Sequence, residues 1–250
     1  MKKKLYTREQ FEKLRMAEAR KMAGDVRLMK DALDVKTRAG KYYWVHQTNW
    51  FGEPILNLPQ DVFAMQEIIF KTRPDFIIEV GTAWGGTLLF YSTLMEALGG
   101  KKIIGIDIYI PDDLKKRVGA FKKLSKRITW INGSSLEQET LKKVRKMIGN
   151  SKKVMVILDS NHEHEHVLKE LRMYSPLVKK GFYLVCADTV VEYQPKDESR
   201  IRPWGPGNNP KTALDAFLKE NNRFESDQAL ENKLLMTCMK GGGYLRCRKD

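Results

Sequence analysis

The chain has 250 residues, enough for one large domain with a complete core, and its 45 Lys and Arg against 31 Asp and Glu give a formal net charge of +14. The three cysteines, Cys186, Cys238 and Cys247, are too few and too scattered for a disulfide framework or a Cys-x-x-Cys metal pair. No apolar run approaches the roughly eighteen residues of a membrane helix, and the basic start leads into a charged segment. We therefore expect a soluble, cytoplasmic protein without a membrane span.

The positive charge is concentrated in one part of the chain. Residues 101–153 contain fifteen basic and five acidic side chains, which accounts for +10 of the net charge. These residues fall in amphipathic segments, so solvated helix faces are one interpretation. A surface for nucleic acid or an anionic membrane is the other interpretation. We expect no nucleic-acid partner, but composition alone does not exclude one.

The N-terminal part is predicted to be an extension of a larger domain. Residues 8–34 are predicted to form one helix, because Met22, Val26, Met29 and Leu33 recur at spacings of four, three and four on one face. That face is expected to dock on the rest of the protein. The segment that follows, "KYYWVHQTNWFGEPILNLPQD", is rich in aromatics, Gly and Pro and predicts a structured loop that could help cover a ligand. We place the extension at 1–58 and the main domain at 59–250.

Five short apolar runs then alternate with helical segments, at residues 75–80, 101–110, 127–132, 152–159 and 181–188. Continuous hydrophobic strands of this kind are typical of a parallel sheet covered on both faces. Near the end, "KLLMTCM" and "GYLRCR" are separated only by a glycine-rich turn and predict a closing antiparallel hairpin. The predicted fold is therefore a doubly wound, Rossmann-like α/β sheet of seven strands with an antiparallel edge hairpin.

The carboxyl end of the first predicted strand carries a glycine-rich loop, "EVGTAWGGT", at residues 79–87. In such sheets ligands bind at the carboxyl ends of the strands. Gly81 would allow a sharp turn, while Gly85 and Gly86 would let a ligand approach the start of the next helix. The loop has neither the spacing of a dinucleotide fingerprint nor the Gly-Lys-Ser/Thr of a phosphate loop.

The next two predicted strands also end in polar residues. Asp107 lies twenty-six residues beyond Gly81, where a carboxylate can accept both hydroxyls of a ribose. Ser134 and Ser135 suit close approach to an adenine edge, or equally the N-terminal capping of the next helix. A glycine loop, a ribose acid and a small polar turn on three successive strands together predict an S-adenosylmethionine site. The residues assigned to it are Glu79, Gly81, Thr82, Gly85, Thr87, Asp107, Ser134 and Ser135.

The fourth and fifth predicted strands end in carboxylates, Asp159 and Asp188. Adjacent strand ends can bring two carboxylates onto one cation, and oxygen ligands favour Mg²⁺. The chain also crowds three histidines, at positions 162, 164 and 166, just after the fourth strand. The second and third of these lie at the start of a helix whose inward face is formed by Val167 and its apolar neighbours, so we expect them to be solvated.

Residues 50–87, 158–189 and 205–247 resemble the cephalosporin hydroxylase family in the order and spacing of their motifs, including "DFIIEVGTAWGGT", "LDSNHEHEH" and "VCADT". That family is similar to S-adenosylmethionine-dependent O-methyltransferases, including rhamnosyl and macrolide-sugar O-methyltransferases. The resemblance implies transfer of a methyl group to a hydroxyl of a small molecule, a sugar or a glycosylated natural product. We also expect a homo-oligomer.

The family pattern assigns roles to residues at the strand ends. After the fourth strand it has Asp-x-x-His, which implies that Asp159 is a metal ligand and His162 the general base. After the fifth strand it has Glu-Asp-Thr, whereas this chain has Ala187, Asp188 and Thr189. One expected ligand is missing, so Mg²⁺ should bind more weakly unless other donors compensate. Two alternatives remain open at this point: an RNA methyltransferase, suggested by the basic segment, and a noncatalytic S-adenosylmethionine-binding protein, suggested by Ala187.

Overall fold

The structure is a computed structural model that describes residues 6–196 and 201–250. In it the N-terminal extension begins with a pair of helices. Where one helix was predicted there are two, α1 (Arg8–Gly24) and α2 (Val26–Gly40). Asp25 separates them: its backbone is extended, and its side chain accepts a hydrogen bond from the Leu28 amide at 3.0 Å, which caps the second helix.

This break changes which side chains face the core. Val26 is 81% exposed, so its predicted place on the docking face is wrong. The break at Asp25 separates the two helices, so a periodicity counted across it has no structural meaning. In α2 the buried positions are instead Ala32 and Lys36.

The aromatic segment is more regular than a loop. A short 3₁₀ helix, Trp44–His46, leads into an antiparallel hairpin of β1 (Thr48–Trp50) and β2 (Glu53–Ile55). The hairpin turns at Phe51 and Gly52, which both have positive φ. The Trp50 indole donates a hydrogen bond to the Thr93 hydroxyl at 3.0 Å, which attaches the hairpin to the helix α4 (Gly86–Leu98).

The main sheet agrees with the predicted class. The described residues form a seven-stranded sheet in the order β5-β4-β3-β6-β7-β9-β8. The first five strands in this order are parallel to one another, and all five predicted runs are confirmed. Their bounds are β3 (Phe76–Val80), β4 (Lys102–Asp107), β5 (Ile128–Asn132), β6 (Val154–Leu158) and β7 (Tyr183–Cys186).

The antiparallel edge exists, but one of its two predicted strands is wrong. β9 (Tyr244–Cys247) lies between β7 and β8 (Phe224–Ser226) and is antiparallel to both. The segment "KLLMTCM" is not a strand. Its polar groups go instead to buried Asp61, which accepts hydrogen bonds from the Thr237 hydroxyl at 2.5 Å and the Cys238 amide at 2.9 Å. The Cys238 amide is thereby committed to a side chain and is not available to a strand ladder.

Helices cover both faces of the sheet. Strand residues alternate between the two resulting cores: Ile77 packs on one side and Ile78 on the other. One core is covered by α3 (Pro59–Thr72), α4 and α5 (Asp112–Gly119), and the other by α7 (Gln138–Ile148), α8 (His164–Tyr174) and α9 (Pro210–Glu220). Two short helices, α6 (Lys122–Ser125) and α10 (Gln228–Glu231), complete the α-helices of the described residues, and 3₁₀ helices lie at Ser175–Leu177 and Thr189–Tyr193. None of the helices in the described ranges has the length and apolar character needed to cross a membrane.

Candidate active site

A large cleft of about 1090 Å³ opens at the carboxyl ends of the parallel strands. Its floor is formed by the loops after β3, β4, β5 and β6 and by the residues after β7. The predicted aromatic segment contributes a wall, through Trp44 and His46, and α2 contributes another, through Lys36 and Thr37. A third wall comes from the loop that carries Arg202 and Trp204.

Gly81 makes the turn after β3 possible. Its φ is +87°, and a Cβ added to it would lie 2.0 Å from the backbone oxygen of Asp159. The loops after the adjacent strands β3 and β6 therefore approach so closely that no larger residue fits. This contact fixes the spacing between the predicted donor-binding loop and the predicted acceptor-side carboxylate.

Gly85 does not line the cleft, contrary to its predicted role. A Cβ at this position would face the side chains of Leu114 and Val118 at 3.1 and 3.3 Å, which belong to α5. The neighbouring Gly86 makes room for the β1–β2 hairpin, since a Cβ there would lie 2.3 Å from the Pro54 carbonyl oxygen. These two glycines allow protein segments, rather than a ligand, to pack against the start of α4.

Asp107 lines the cleft and also holds the glycine loop in place. Its Oδ2 accepts a hydrogen bond from the Thr82 amide at 2.8 Å and a longer one from the Ala83 amide at 3.3 Å. Its Oδ1 accepts from the Tyr109 amide at 3.1 Å. A carboxylate offers about four acceptor positions, so these bonds leave capacity for a ribose hydroxyl. Sequence pattern suggested the ribose role but not this structural one.

Glu79 lies at the bottom of the cleft, where it is only 2% exposed. The Thr87 hydroxyl donates to its Oε2 at 2.7 Å. Burial raises the pKa of Glu79 to about 8, and the nearby charges of Asp159 and Asp107 add to this effect. The predicted pair of Glu79 and Thr87 is therefore in contact, with the carboxyl group largely protonated at neutral pH.

Ser134 and Ser135 both line the cleft, and neither is the N-cap of the following helix. That helix, α7, begins at Gln138 with Glu137 as its N-cap. The Ser135 hydroxyl instead donates to Oε1 of buried Glu170 at 2.5 Å, within a network that sequence analysis did not anticipate. This network makes the position of Ser135 well defined, because Glu170 also accepts a hydrogen bond from the Ser160 hydroxyl at 2.7 Å.

The expectation that His164 and His166 are simply solvated is wrong. The His164 ring Nδ1 lies 2.9 Å from the Thr212 hydroxyl, and its backbone amide donates to the Asn208 side chain at 3.0 Å. The His166 ring Nε2 lies 3.1 Å from Oε1 of Glu170. Both rings are about three-quarters buried. His164 connects α8 to α9 and the loop before it, whereas the contact of His166 with Glu170 lies within α8 and its longer contact, 3.4 Å to the Ser135 hydroxyl, reaches the loop after β5.

Asp159, His162 and Asp188 converge on one point of the cleft. One ligand atom from each lies within 4.8 Å of the others. His162 Nε2 is 2.6 Å from Asp188 Oδ2 and 3.9 Å from Asp159 Oδ1. Asp188 has a left-handed backbone, with φ of 52°, directly after β7, an uncommon conformation for a residue other than glycine. The remaining ring nitrogen, His162 Nδ1, is buried and has no hydrogen-bond partner among the described residues.

The three groups shift one another's protonation. Burial raises the pKa of Asp159 to about 7, and the charge of Asp188 reinforces the effect. Burial alone would lower the pKa of His162, but the hydrogen bond and the negative charge of Asp188 outweigh it and raise the pKa. Burial alone would likewise raise the pKa of Asp188, yet the hydrogen bond from His162 and nearby positive charges lower it. His162 and Asp188 therefore each stabilise the charged form of the other, protonated imidazole beside ionised carboxylate.

An aromatic side chain covers the histidine. Trp204 stacks on the His162 ring with 5.0 Å between centroids and an interplanar angle of 25°. The Arg202 guanidinium lies 5.2 Å from the centroid of the Trp204 ring. Trp204 therefore forms part of the cleft wall beside His162.

The donor set is incomplete for Mg²⁺. Asp159 and Asp188 do converge, as expected for a cation site. The third carboxylate of the family pattern is replaced by Ala187, whose methyl group is 3% exposed and packs in the core. Mg²⁺ prefers an octahedron of oxygens, whereas the third donor here is an imidazole nitrogen already bonded to Asp188. These residues do not fit a tightly held Mg²⁺ ion; they allow a weakly held one completed by water or acceptor oxygens.

Lys36 is one of the cleft residues that the sequence analysis did not identify. Lys36 lines the cleft from α2 and is only 6% exposed. The available signal was its spacing: it follows Met29 and Leu33 by seven and three residues, so the inward stripe of the helix continues into a lysine. That spacing becomes informative only once the helix break at Asp25 is known.

The sheet order, the glycine turn after β3 and the acid at the end of β4 define a Rossmann-like methyltransferase. The sequence model of the rhamnosyl O-methyltransferase/CmcI family matches residues 42–248. The chain belongs to this family, which confirms the resemblance seen in its motifs, and it is an S-adenosylmethionine-dependent O-methyltransferase.

Known proteins support this membership. A rhamnosyl O-methyltransferase of Mycobacterium leprae is 29% identical over 211 residues, which cover 83% of this chain and 86% of the relative. A rhamnosyl O-methyltransferase of Mycobacterium tuberculosis is 26% identical over 210 residues, covering 83% of this chain and 81% of the relative. A solved structure of CmcI with Mg and SAM has a TM-score of 0.56 at 20% identity, covering 81% of this chain and 77% of that chain, and shows the same fold.

Proposed function

We propose that this enzyme transfers a methyl group from S-adenosylmethionine to a hydroxyl of a sugar or a glycosylated small molecule. The curated relatives are rhamnosyl O-methyltransferases, and the chain covers more than four-fifths of their length. The cleft is large enough for a donor and a small acceptor together. Trp204 and the aromatic segment around Trp44 offer flat apolar surfaces on the acceptor side, which suit the faces of sugar rings.

The donor would bind across the ends of β3, β4 and β5. In this proposal Gly81 and Thr82 admit the methionine part, Asp107 accepts the ribose hydroxyls, and Ser134 and Ser135 border the adenine. Glu79 and Thr87 lie deepest, where the carboxyl group can meet the positive charge of the donor. Gly85 has no part in this proposal, because it contacts α5 rather than the cleft.

The single observation that carries the acceptor chemistry is the bond between His162 Nε2 and Asp188 Oδ2 at 2.6 Å, with Nδ1 left unpartnered among the described residues. Asp188 then holds the proton-bearing Nε2, so the lone pair of Nδ1 is free to act as a base. The acceptor oxygen attacks the donor methyl carbon, the carbon–sulfur bond breaks with its electron pair remaining on sulfur, and the hydroxyl proton passes to Nδ1. The products are a methyl ether, S-adenosylhomocysteine and a protonated His162.

Access to the base requires a local movement. Nδ1 is buried in this conformation, so a hydroxyl reaches it only when a covering side chain is displaced. Trp204 is the side chain stacked on the ring. If a sugar ring takes the place of Trp204 against the His162 ring, the acceptor hydroxyl lies next to both His162 and the donor methyl group.

The test is methyl transfer itself. Purified enzyme would be incubated with isotope-labelled S-adenosylmethionine and a panel of rhamnosides and other glycosides, and methyl ethers would be identified by mass spectrometry. Turnover of at least one glycoside, lost in His162→Ala, is the expected result. Donor binding without turnover of any hydroxyl acceptor, with or without Mg²⁺, would instead favour the noncatalytic alternative.

Methylation of RNA is not favoured. The basic side chains of residues 101–153 do not line the cleft; the cleft residues in that range are apolar, acidic or small, such as Ile106, Asp107 and Ser134. Many of these basic side chains are exposed on helices or paired with acidic neighbours, as Arg127 is with Glu96 at 2.6 Å. A basic surface away from the reacting atoms gives no path for a polynucleotide into the site.

Three further expectations stay proposals. The domain boundary near residue 58, the cytoplasmic location and the homo-oligomeric state each rest on sequence reasoning. Light scattering coupled to size exclusion would measure the oligomeric state.

Asp159 and Asp188 are proposed as the protein ligands of a weakly held Mg²⁺ ion, and His162 and Asp159 as the groups nearest to the reacting hydroxyl.

A further inference from the structure

Glu170 is a buried carboxylate of α8 that contacts two loops of the cleft from behind. Its Oε1 accepts a hydrogen bond from the Ser135 hydroxyl at 2.5 Å, in the loop after β5, and one from the Ser160 hydroxyl at 2.7 Å, in the loop after β6. The His166 ring Nε2 lies 3.1 Å from the same oxygen. Three contacts thus converge on Oε1, while Oε2 is buried and has no hydrogen-bond partner among the described residues.

These contacts determine the direction of the Ser135 hydroxyl. A carboxylate only accepts hydrogen bonds, and a serine hydroxyl has one hydrogen to donate and two lone pairs. The hydrogen of Ser135 is committed to Glu170, and the long contact of 3.4 Å with His166 Nε2 occupies at most one lone pair. The Ser135 backbone carbonyl also accepts a hydrogen bond from the buried Tyr174 hydroxyl at 3.0 Å. Ser135 therefore lines the cleft as a fixed acceptor.

The neighbouring Ser134 also lines the cleft but is not constrained in this way. Its oxygen accepts a hydrogen bond from the Leu136 amide at 3.3 Å, and its hydrogen has no acceptor among the residues that the structure describes. This hydroxyl can rotate to donate or to accept, whereas that of Ser135 cannot. The two serines therefore offer different chemistry to the same ligand.

A fixed acceptor distinguishes purines by their exocyclic group. Adenine carries an amino group, which donates hydrogen bonds, whereas hypoxanthine carries a carbonyl oxygen at the same position, which only accepts. Beside Ser135 the amino group gains a hydrogen bond. The carbonyl oxygen would instead face a lone pair and remain unpaired, which is costly in a buried site.

We propose that Glu170, by holding the hydrogen of Ser135, makes the donor site select an amino-purine over an oxo-purine. Ser135 is then the specificity-determining residue that touches the base. Glu170 is a positioning residue, because it acts through Ser135. The inference rests on the proposed function, which places the adenine of the donor beside Ser135.

The experiment compares two ligands that differ in this group, S-adenosylhomocysteine and its deaminated counterpart S-inosylhomocysteine. Calorimetry would give the ratio of their dissociation constants for each purified protein. Ser135→Ala removes the acceptor, and Glu170→Met removes the group that holds the serine hydrogen. Glu170→Gln keeps an oxygen that can accept from Ser135. Glu165→Gln is the matched control, because Glu165 is an exposed acid on the same helix.

The natural protein should prefer S-adenosylhomocysteine by about 10²-fold. Glu170→Met should reduce the preference about tenfold or more, mainly by tighter binding of S-inosylhomocysteine, since the released hydroxyl can rotate and donate to the carbonyl oxygen. Ser135→Ala should reduce it similarly, by weaker binding of S-adenosylhomocysteine. Glu170→Gln and Glu165→Gln should keep the preference within a few-fold.

Two further variants test the route of the effect. The double variant of Ser135→Ala with Glu170→Met should show the same preference as Ser135→Ala alone, because Glu170 acts through Ser135. Ser134→Ala should change both affinities in the same proportion, since its hydroxyl adapts to either ligand.

The ratio separates specificity from damage to the fold, because a distorted site loses affinity for both ligands. Equal proportional losses in Glu170→Met, or an unchanged preference in Ser135→Ala, would overturn the inference. If Glu170→Met does not fold, Glu170→Ala removes the same acceptor and leaves space for water. Tight binding of both ligands by the natural protein without preference refutes the selection alone. Binding of neither ligand refutes the proposed donor site as well.

Discussion

His162 Nε2 lies 2.6 Å from Oδ2 of Asp188, a residue twenty-six positions later in the chain. The contact joins the ends of two adjacent parallel strands, β6 and β7. It determines which ring nitrogen holds the proton, because the nitrogen that faces a carboxylate carries it. The other nitrogen is therefore the one suited to accept a proton from a hydroxyl, and the pair is the centre of the predicted chemistry.

The first prediction concerns this pair. His162→Ala should lower kcat by about 10² or more and leave donor affinity unchanged, because a positioned base is lost while the donor site is intact. His164→Ala and His166→Ala should keep kcat within a few-fold but lower the melting temperature, since the rings contact Thr212 of α9 and the Ser135 hydroxyl, both outside α8. Steady-state kinetics and thermal unfolding of the three variants would separate these effects. Equal loss of kcat in all three would show that the cluster acts as one ligand set.

The second prediction concerns Asp107. Asp107→Ala should weaken donor binding by about 2 kcal/mol or more, because charge-assisted hydrogen bonds to the ribose are lost. The structure adds a second loss, since the amides of Thr82 and Ala83 also lose their acceptor and the glycine loop is no longer held. Calorimetry with S-adenosylhomocysteine would measure the affinity. Unchanged affinity would remove Asp107 from the donor site.

Asp107→Asn is the control that separates the loss of the carboxylate charge from the loss of the side chain itself. It keeps the size of the side chain and one oxygen acceptor, so the loop should be held partly while the charge is absent. An intermediate affinity is expected. If Asp107→Asn binds as weakly as Asp107→Ala, the carboxylate charge rather than the hydrogen-bond geometry determines the affinity.

Sequence pattern was sufficient for features that depend on local rules. The parallel strands follow from continuous apolar runs, and Gly81 and Asp107 follow from their position at strand ends. The features that it missed depend on distant partners. The strand predicted near Thr237 is absent, and within that segment the side chain of Asp61, far earlier in the chain, accepts from the Cys238 amide. Lys36 was missed because one capping residue, Asp25, divides the helix and changes its inward face.

The third prediction concerns the missing carboxylate. Ala187 is buried in the core, so Ala187→Glu places a carboxylate where it is poorly solvated unless a cation meets it. Without metal the variant should unfold at a lower temperature than the natural protein. Mg²⁺ should raise its melting temperature, because binding to the folded state is linked to stability. The same salt should have little effect on the natural protein.

Thermal unfolding with chelator and with MgCl₂, in both proteins, makes the comparison. CaCl₂ would serve as a control for unspecific effects of divalent ions. Strong inhibition of the natural enzyme by chelator, with no change of metal response in Ala187→Glu, would mean that other residues complete a metal site. The alanine at position 187 would then not weaken metal binding.

The last prediction concerns the pH dependence of donor binding. Burial raises the pKa of Glu79 from 4.5 to about 8, so the group is mostly protonated when the free enzyme is at pH 7. S-adenosylmethionine carries positive charge and should favour the ionised carboxylate, so its binding below pH 8 should release a proton. Donor affinity should therefore rise with pH, by up to about tenfold per pH unit, and level off above pH 8. Glu79→Gln should bind more weakly at high pH and show a nearly flat profile. Calorimetry in buffers of different ionisation enthalpy measures the proton released at each pH. If Glu79→Gln and the natural protein show the same slope of donor affinity against pH and the same proton release, another group titrates. Asp159, whose pKa is about 7, is then the next candidate, and Asp159→Asn tests it.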